Sequence, residues 1–391
     1  MSAHAIAAAM ALAITIAALC YAVIALTCVI AFGVRRARFD AQLSGAPESG
    51  EPAAASPPMT ILKPIAGLEP GLFENLSSFC AQNYPQFQVV FGVDPGDAAT
   101  AALIEDVARA HPVVPVARAA GAASAANLKV ARLLTMLPLA THDILVISDA
   151  DTHVDRDYLR ALARAFPDES VGAATCLYRG AGRGGMAAAL GAMMIDEQFM
   201  PSVLVAALGG VHFTLGATMA VRRRALEAIG GFEALAPYLA DDQKLGEFVG
   251  AKGFRIALAP HVVEHRADEP NMRALWEHEL RWARTNRSAR PLGYSGYFLT
   301  FAWPWALLYV ALAGTTPIAL ALLGAALALR VAQHYRARSA LAARSPDMLW
   351  LFPVRDLLGL AVWAASWFGT SVRWRGRALR IDSQGRIVAG E

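Results

Sequence analysis

Asp149-Ala150-Asp151 stands directly after the apolar run Ile144-Leu145-Val146-Ile147, which Asp143 and Ser148 flank. Two carboxylates one residue apart at the end of such a run suit a hard divalent cation, Mg²⁺ or Mn²⁺, whose coordination a diphosphate would complete. The pair would equally suit a solvated turn, since Asp is common at strand ends. Asp94, with Asp97 close by, ends a second run, Val89-Val90-Phe91-Gly92-Val93, where its carboxylate could hydrogen-bond a uracil or a ribose. Asp94-Pro95-Gly96-Asp97 is also strongly turn-forming in its own right. A third acidic pair, Asp241-Asp242, follows Gly230-Gly231-Phe232 and precedes a helix-like stretch from Gln243 to Gly253, so it serves either chemistry or the start of a helix. Further on, His278-Glu279-Leu280-Arg281-Trp282 leads to Arg284 and Arg287. On a helix the three arginines fall roughly on one side, a stripe able to meet a diphosphate or anionic lipid heads. Arg284 and Arg287 read better as snorkelling side chains of an interfacial helix. No Ser, Cys or His is arranged as a nucleophilic triad.

These residues need elements to gather them. From Met59 to about His265, short β-rich runs alternate with Ala- and Leu-rich helix-like segments: Met59–Leu62, Gln88–Val93, Val113–Ala117, Asp143–Ser148, Val171–Leu177, Phe213–Val221 and Arg255–Leu258. Runs apolar on both faces and separated by helices predict a mostly parallel sheet covered by helices, an α/β fold. Ligands of such a sheet bind outside the carboxyl ends of the strands, which would place Asp94 and Asp149 to Asp151 on one edge.

Composition adds a membrane. Of 391 residues, 56% are hydrophobic and 17% charged, against roughly 45–50% and about 25% in ordinary soluble domains. So much apolar side chain excludes a disordered chain. The net charge of +3, from 35 basic and 32 acidic residues, leaves no basic arm for nucleic acid. Cys20, Cys28, Cys80 and Cys176 are scattered and imply neither a disulfide framework nor a zinc site. Ala5 to Val34 carries no charge, about thirty residues where roughly 20 cross a hydrocarbon core. It reads as a retained transmembrane anchor, with Arg35, Arg36 and Arg38 on the cytoplasmic side. Tyr297 to Leu329 is uncharged but broken by Gly314-Thr315-Thr316-Pro317, which predicts two helices joined by a tight turn and a basic cytoplasmic loop from Arg330 through Arg336, Arg338 and Arg344. Leu349 to Val372, interrupted by Arg355 and Asp356, either spans or re-enters. Trp276, Trp282, Trp303 and Trp305 would hold the acidic edge against the membrane surface.

The order of Asp94, Asp149-Ala150-Asp151, Asp241-Asp242 and His278 to Trp282, behind an N-terminal anchor and ahead of apolar C-terminal helices, resembles the membrane-bound family-2-type glycosyltransferases. Finer features are similar to the ceramide glucosyltransferase branch. They are Leu62-Lys63-Pro64 with Gly67 and Pro70, Asn83-Tyr84-Pro85, Asn127-Leu128-Lys129, Gly216 to Arg223 with Gly230-Gly231, and Trp374-Arg375-Gly376-Arg377 with Leu379-Arg380. Bacterial relatives in this group include ceramide glycosyltransferases and hopanoid-biosynthesis glycosyltransferases, and the second is the expectation here. The resemblance implies a GT-A (Rossmann-like) fold, with a mixed, mostly parallel sheet between an N-terminal transmembrane helix and C-terminal membrane helices. Residues 1–38 would form the anchor, 39–58 a linker, 59–290 the cytoplasmic glycosyltransferase domain and 291–391 membrane-associated helices with a basic tail.

By the same resemblance Asp94 serves the nucleoside, Asp149 and Asp151 the divalent cation and diphosphate, and Asp242 is the catalytic base. Arg281 and Trp282 form the acceptor-side motif, and Lys129 serves the leaving group. His278, where the family's motif opens with Gln or Arg, is a weaker diphosphate contact. The implied reaction moves one sugar, N-acetylglucosamine or glucose, from a UDP-sugar to the hydroxyl of a lipid in the bilayer, a hopanoid polyol or a ceramide, at a bacterial inner membrane. A processive polysaccharide synthase shares the pattern but needs a larger helix bundle than three or four apolar segments supply. A catalytically inactive membrane-anchored nucleotide-sugar-binding protein would be expected to have lost an acidic site residue, and all are present.

Overall fold

The computed structural model describes residues 2–45, 56–119, 121, 124–374 and 377–388. Part of the expected linker (46–55) and Arg375-Gly376 of the C-terminal motif lie outside the described residues. One eight-stranded sheet organises the α/β portion: β1 (Met59–Pro64), β2 (Phe87–Gly92), β3 (Val116–Ala119), β4 (Ile144–Ile147), β5 (Thr152–His153), β6 (Val171–Ala181), β7 (Met219–Arg222) and β8 (Arg255–Arg266). Their spatial order is β3-β2-β1-β4-β7-β6-β8-β5. The first four in that order are mutually parallel, whereas β7 runs antiparallel to β4 and β6, and β5 antiparallel to β8. β1 and β4 are buried at every position, as expected of apolar strands covered on both faces. On one face Val130, Leu133 and Met136 of the helix Leu128–Met136 and Leu245 and Val249 of the helix Asp241–Ala251 pack against Leu62, Val90, Leu145 and Ile147.

Register explains where the chemistry gathers. Leu62 pairs with Ile147 and Pro64 with Gly92, so the carboxyl ends of β1, β2 and β4 share one edge. Met219 also pairs with Ile147, in the opposite sense, so the segment entering β7 arrives at that same edge.

Besides β5, which the sequence reading did not include, two strands differ most from that reading. Phe213–Val221 was expected to be strand throughout, but only Met219–Arg222 joins the sheet. Gly216-Ala217 turn tightly, with Thr218 N donating to Leu215 O at 2.8 Å, which takes the preceding residues out of the ladder. β8 runs on to Arg266 rather than stopping at Leu258, and His261, Glu264 and His265 are buried within it. Buried polar residues in a strand obscure the apolar pattern by which strands are recognised.

The described chain clusters into two compact units. A sheet unit comprises residues 36–178, 209–266 and 379–391, and a helical unit comprises 1–35, 179–208 and 267–378. Residues 179–208, inside the interval 59–290, thus group with the N- and C-terminal helices.

Among the described residues three helices are long and apolar enough to cross a membrane: Ala3–Leu43, Pro317–Leu341 and Leu349–Ser366. The first continues helically to Gly45, into the expected linker. The turn at Gly314 forms as expected, with Gly314 at φ 73° and the Thr316 hydroxyl accepting from Ala319 N. The arm before it, Ala302–Ala313, has 12 residues, about 18 Å at 1.5 Å per residue. That is too short to cross alone, and Pro291–Thr300 precedes it at a 63° bend.

The expected loop from Arg330 is instead helix as far as Leu341, with Arg344 beyond it. Arg330 lies within Pro317–Leu341, its guanidinium 2.8 Å from both Glu197 and Asp356. Arg355 is fully buried and makes two hydrogen bonds to Glu279 at 2.5 and 2.6 Å. Buried charges in apolar helices persist when paired, and this pairing accounts for the charges that interrupt the last apolar segment.

Candidate active site

At the shared strand edge the acidic residues of the sheet unit form one connected cluster. Asp149, two residues past β4, donates its backbone N–H to Gly216 O at 3.1 Å. Gly216 N in turn donates to Asp242 Oδ2 at 2.9 Å. A Cβ built on Gly216 would fall well inside contact distance of Asp149 Oδ2 and 3.5 Å from Asp242 Oδ2. The two carboxylates therefore close on one glycine, and only glycine leaves them room. Lys129 ties the cluster together, its ammonium 2.7 Å from Asp149 Oδ1 and 3.1 Å from Asp241 Oδ2. It sits in the first turn of a helix whose N-cap, Asn127, accepts from Lys129 N and Val130 N and donates through its amide to Tyr238 O and Asp241. The Asn127 cap thus satisfies orphan helix donors and orients Asp241 with the same side chain.

Asp242 lies in the first turn of Asp241–Ala251, whose N-cap is Ala240, so neither Asp is a capping residue. Its Oδ1 accepts from Gln243 N at 2.8 Å, and its backbone carbonyl accepts from the Thr214 hydroxyl at 2.6 Å. The positive φ of Gly230 and Gly231, 95° and 75°, lets the chain turn back from β7 toward this position.

Charge in this crowded edge shifts protonation. Burial, and then the adjacent Asp241 carboxylate, push Asp242 up to about 6. Burial raises Asp149 as well, against the opposing pull of Lys129. Burial alone would lower Lys129, but Asp149, Asp241 and Asp242 hold it above its ordinary value.

Several participants carried no role in the sequence reading. Lys63 on β1 is fully buried and donates to the Asp149 carbonyl and to Ser148 Oγ, with its ammonium 3.8 Å from the centre of the Phe79 ring. Burial lowers it to about 7, against the pull of Asp151 and Asp149. Its motif, Leu62-Lys63-Pro64, was visible in the sequence, yet a lysine in a strand gives no sign of pointing into a core. Tyr178 is buried on β6, its hydroxyl held far from ionisation by burial and by the charges of Asp242, Asp149 and Asp151. Arg132, one turn after Lys129, grips Asp94 with Nε at 2.8 Å and Nη2 at 2.5 Å. Asp94 thus stands at the expected edge with its carboxylate oriented by a bidentate arginine. Asp97 caps the helix Ala98–Ala110 by accepting from Thr100 N at 3.0 Å.

Asp151 Oδ1 lies 3.4 Å from His265 Nδ1, and its carbonyl accepts from Arg266 N at 3.0 Å. Among the described residues no group of three or more His, Cys, Asp or Glu is arranged to hold an ion. Asp149 and Asp151 nevertheless offer hard carboxylate oxygens on one loop. That donor set fits Mg²⁺ or Mn²⁺, which bind through one or two carboxylates and take substrate phosphates and water for the rest.

His278, Arg281 and Trp282 lie on the helix Met272–Ala289 of the helical unit. His278 Nδ1 is 2.6 Å from Glu269 Oε1, and its ring meets Trp282 edge-on at 4.9 Å. Trp282 also packs on Phe199 at 5.6 Å. The arginine stripe is not realised. Arg284 donates to Ser371 O and Phe368 O at 2.5 and 2.6 Å, and Arg287 to Gly369 O at 3.0 Å. The carbonyls beyond the helix Phe352–Ser366 need donors, and these two guanidiniums supply them instead of snorkelling to lipid heads.

The parallel-then-antiparallel sheet with acidic residues at its carboxyl edge is a GT-A fold. The chain belongs to glycosyltransferase family 21: residues 10–387 match the family described as Glycosyl transferase family 21. It is similar to ceramide glucosyltransferase 1 of Caenorhabditis elegans, 22% identical over 243 residues, 62% of this chain and 52% of that protein. Ceramide glucosyltransferase 3 of the same organism is 20% identical over 237 residues, covering 60% and 52%. The chain thus spans about half the length of the curated relatives it matches. Among solved structures it resembles the mannosyltransferase PcManGT from Pyrobaculum calidifontis, in complex with GDP-Man and Mn²⁺. The TM-score is 0.51 at 19% identity, over 91% of this chain and 99% of that one. The ceramide glucosyltransferase-like reading of the sequence therefore holds at the level of family and fold.

Gly216 provides a direct test of the cluster's geometry. Gly216→Ala, whose backbone angles any residue tolerates, is expected to push the Asp149 carboxylate off Lys129 and lower kcat/KM about a hundredfold, the scale of an ångström's misplacement. Unchanged kinetics would show that Asp149 does not need its observed position.

Proposed function

We propose that this chain is an inverting glycosyltransferase that moves one sugar from a UDP-sugar to the hydroxyl of a membrane lipid. The observation that carries the reading is the closure of Asp149 and Asp242 on Gly216, with Lys129 bridging to Asp241. It sets a base beside a cationic, carboxylate-lined donor edge. The acceptor oxygen attacks the anomeric carbon, the bond to the diphosphate oxygen breaks, and UDP departs carrying the electron pair. Asp242 takes the alcohol's proton, and a carboxylate poised near 6 is well matched to that task at neutral pH. Lys129 offsets negative charge at the donor edge, while Arg132 orients Asp94 toward the nucleoside. When bound by Asp149 and Asp151, a divalent cation supplies Lewis-acid stabilisation of the departing diphosphate. A single in-line displacement turns an α-linked donor into a β-linked product and requires no covalent nucleophile. Arg281 and Trp282 serve the acceptor side, with His278 braced by Glu269 beside them.

The donor sugar is N-acetylglucosamine or glucose, and the acceptor a hopanoid polyol or a ceramide. The enzyme acts at a bacterial inner membrane with the sheet unit in the cytoplasm. The three candidate spans among the described residues, or four with the bent pair, support single transfer over polymer extrusion.

Incubating the detergent-purified full chain with a panel of UDP-sugars and lipid alcohols tests the proposal, with products identified by mass spectrometry. One β-linked sugar per lipid is expected, lost on EDTA treatment and restored by Mn²⁺ or Mg²⁺. Transfer to soluble sugars without lipid, or a ladder of polymer products, would overturn it.

A further inference from the structure

Leu349–Ser366 is long and apolar enough to cross a membrane, yet its neighbours are not those of a spanning helix. It runs beside Met272–Ala289 of the same unit from one end to the other. Leu351 shares a core cluster with Leu275, Arg355 makes its two bonds to Glu279, Val362 packs with Ala283, and Arg287 donates to Gly369 O just past the helix. The contacts advance in the same direction along both helices, so the two share one depth and one tilt. Met272–Ala289 carries six charged residues in 18, from Arg273 to Arg287. Hydrocarbon excludes such a helix, and the apolar helix alongside it is held at the surface too.

The course of the chain requires the same. Residues 379–391 belong to the sheet unit together with 36–178 and 209–266, and within it Ile387 N donates to Pro237 O at 2.7 Å and Leu239 N to Gly385 O at 3.2 Å. A compact unit lies on one side of a membrane, so the intervening residues 267–378 cross an even number of times. Pro317–Leu341 supplies one crossing, and the bent pair Pro291–Thr300 and Ala302–Ala313, joined to it by the tight turn at Gly314, supplies the other. None is left for Leu349–Ser366. Its Asp356 meets the entry end of that hairpin: Trp303 in the first turn of one arm, and Arg330 in the other, about 20 Å along from Pro317.

The face turned away from these contacts is an uninterrupted apolar stripe. Trp350, Val354, Leu357, Ala361, Ala364 and Phe368 recur every three or four residues and are exposed, Trp350 by 70% and Phe368 by 75%. Aromatic residues at both ends of a flat apolar face suit the boundary between headgroups and acyl chains. We infer that Leu349–Ser366 lies in the plane of the membrane surface, on the sheet unit's side, and seats this stripe in the lipid instead of crossing the bilayer. Naming that side the cytoplasm rests on the proposed function; the in-plane placement does not.

The test uses the full chain with Cys20→Ala and Cys28→Ala, Cys80 and Cys176 being buried. Single cysteines are added and treated with a membrane-impermeant maleimide in sealed vesicles of known orientation. Pro346→Cys and Thr370→Cys, which flank the helix, are expected to label from the same face as Glu105→Cys on the sheet unit, and Thr315→Cys in the turn from the opposite face. Pro346→Cys and Thr370→Cys labelling from opposite faces, or Thr370→Cys sharing the face of Thr315→Cys, would overturn the inference. Depth gives a second measurement. Nitroxides attached at Leu357→Cys and Ala364→Cys, seven residues apart on the stripe, are expected within about 3 Å of one another in depth by electron paramagnetic resonance, whereas a crossing helix would separate them by about 10 Å. A separation of that size would equally overturn the in-plane placement. Neither measurement depends on sugar transfer. Same-face labelling without transfer to any lipid alcohol would overturn the functional reading alone, and opposite-face labelling with transfer intact would overturn this inference alone.

Discussion

Asp242→Asn is expected to reduce sugar transfer by about a thousandfold, within the range general-base catalysis supplies, while UDP-sugar affinity stays within a few-fold of the parent. Asparagine keeps the shape but has a single acceptor oxygen, so it can keep the bond from Gly216 N or the one from Gln243 N but not both; the charge and the proton acceptor are lost while the side-chain volume at the cluster is kept. In the parent enzyme log kcat/KM should rise with pH and level off above about 6, where burial and Asp241 have placed this carboxyl. The variant should lack that limb. Stability should move the other way. The folded group holds its proton up to about 6, whereas the unfolded chain gives it up near 3.8. Between those values the unfolded state binds fewer protons, so this group's contribution to stability falls as pH rises through the window. Removing the charge should therefore raise the melting temperature at neutral pH. Unchanged turnover in the variant would exclude Asp242 as the base.

Lys129→Met should have the largest effect on stability. It removes the cation that meets Asp149 at 2.7 Å and Asp241 at 3.1 Å, and Asp241 is buried. Breaking a buried pair leaves an uncompensated charge. A loss of about 3 kcal/mol is expected, the lower end of the range because the Asp149 side chain is still 37% exposed. The three carboxylates would then repel one another without a cation between them, and because Asp149 and Asp242 are already raised, the deficit should shrink on acidification. Denaturant midpoints at two pH values check this, and a variant equal to the parent at both would show that Lys129 is not what holds the carboxylates together. Transfer should fall as well, since the donor edge loses its fixed positive charge.

Much of this architecture is legible from residue order. β1, β2 and β4 were apparent as apolar runs bounded by Pro, Gly and Asp, because strands buried on both faces need little else. Their parallel pairing places Asp94 and Asp149 on one edge, and the turn at Gly314 follows from Gly and Pro chemistry. Other elements were hidden for identifiable reasons. The segment entering β7 looks like strand, yet Gly216-Ala217 turn it out of the sheet to make room for two carboxylates. Arg330 looks like a loop charge, and Arg355 and Asp356 look like a break in an apolar segment, but Glu197 and Glu279, far away in the chain, let them stay buried in helices.

From residue order alone come the α/β class, the membrane-length apolar helices and the types of group at the acidic edge, because burial periodicity and side-chain chemistry are local properties. Pairing is not local. That Lys129 bridges Asp149 to Asp241, that Arg132 grips Asp94, and that Asp242 meets Asp149 across a glycine depend on strand register and on the entry angle of two helices. Only the folded chain brings those groups within hydrogen-bonding distance, and the low-dielectric surroundings that shift Asp242 toward neutral pH exist only once they are packed together.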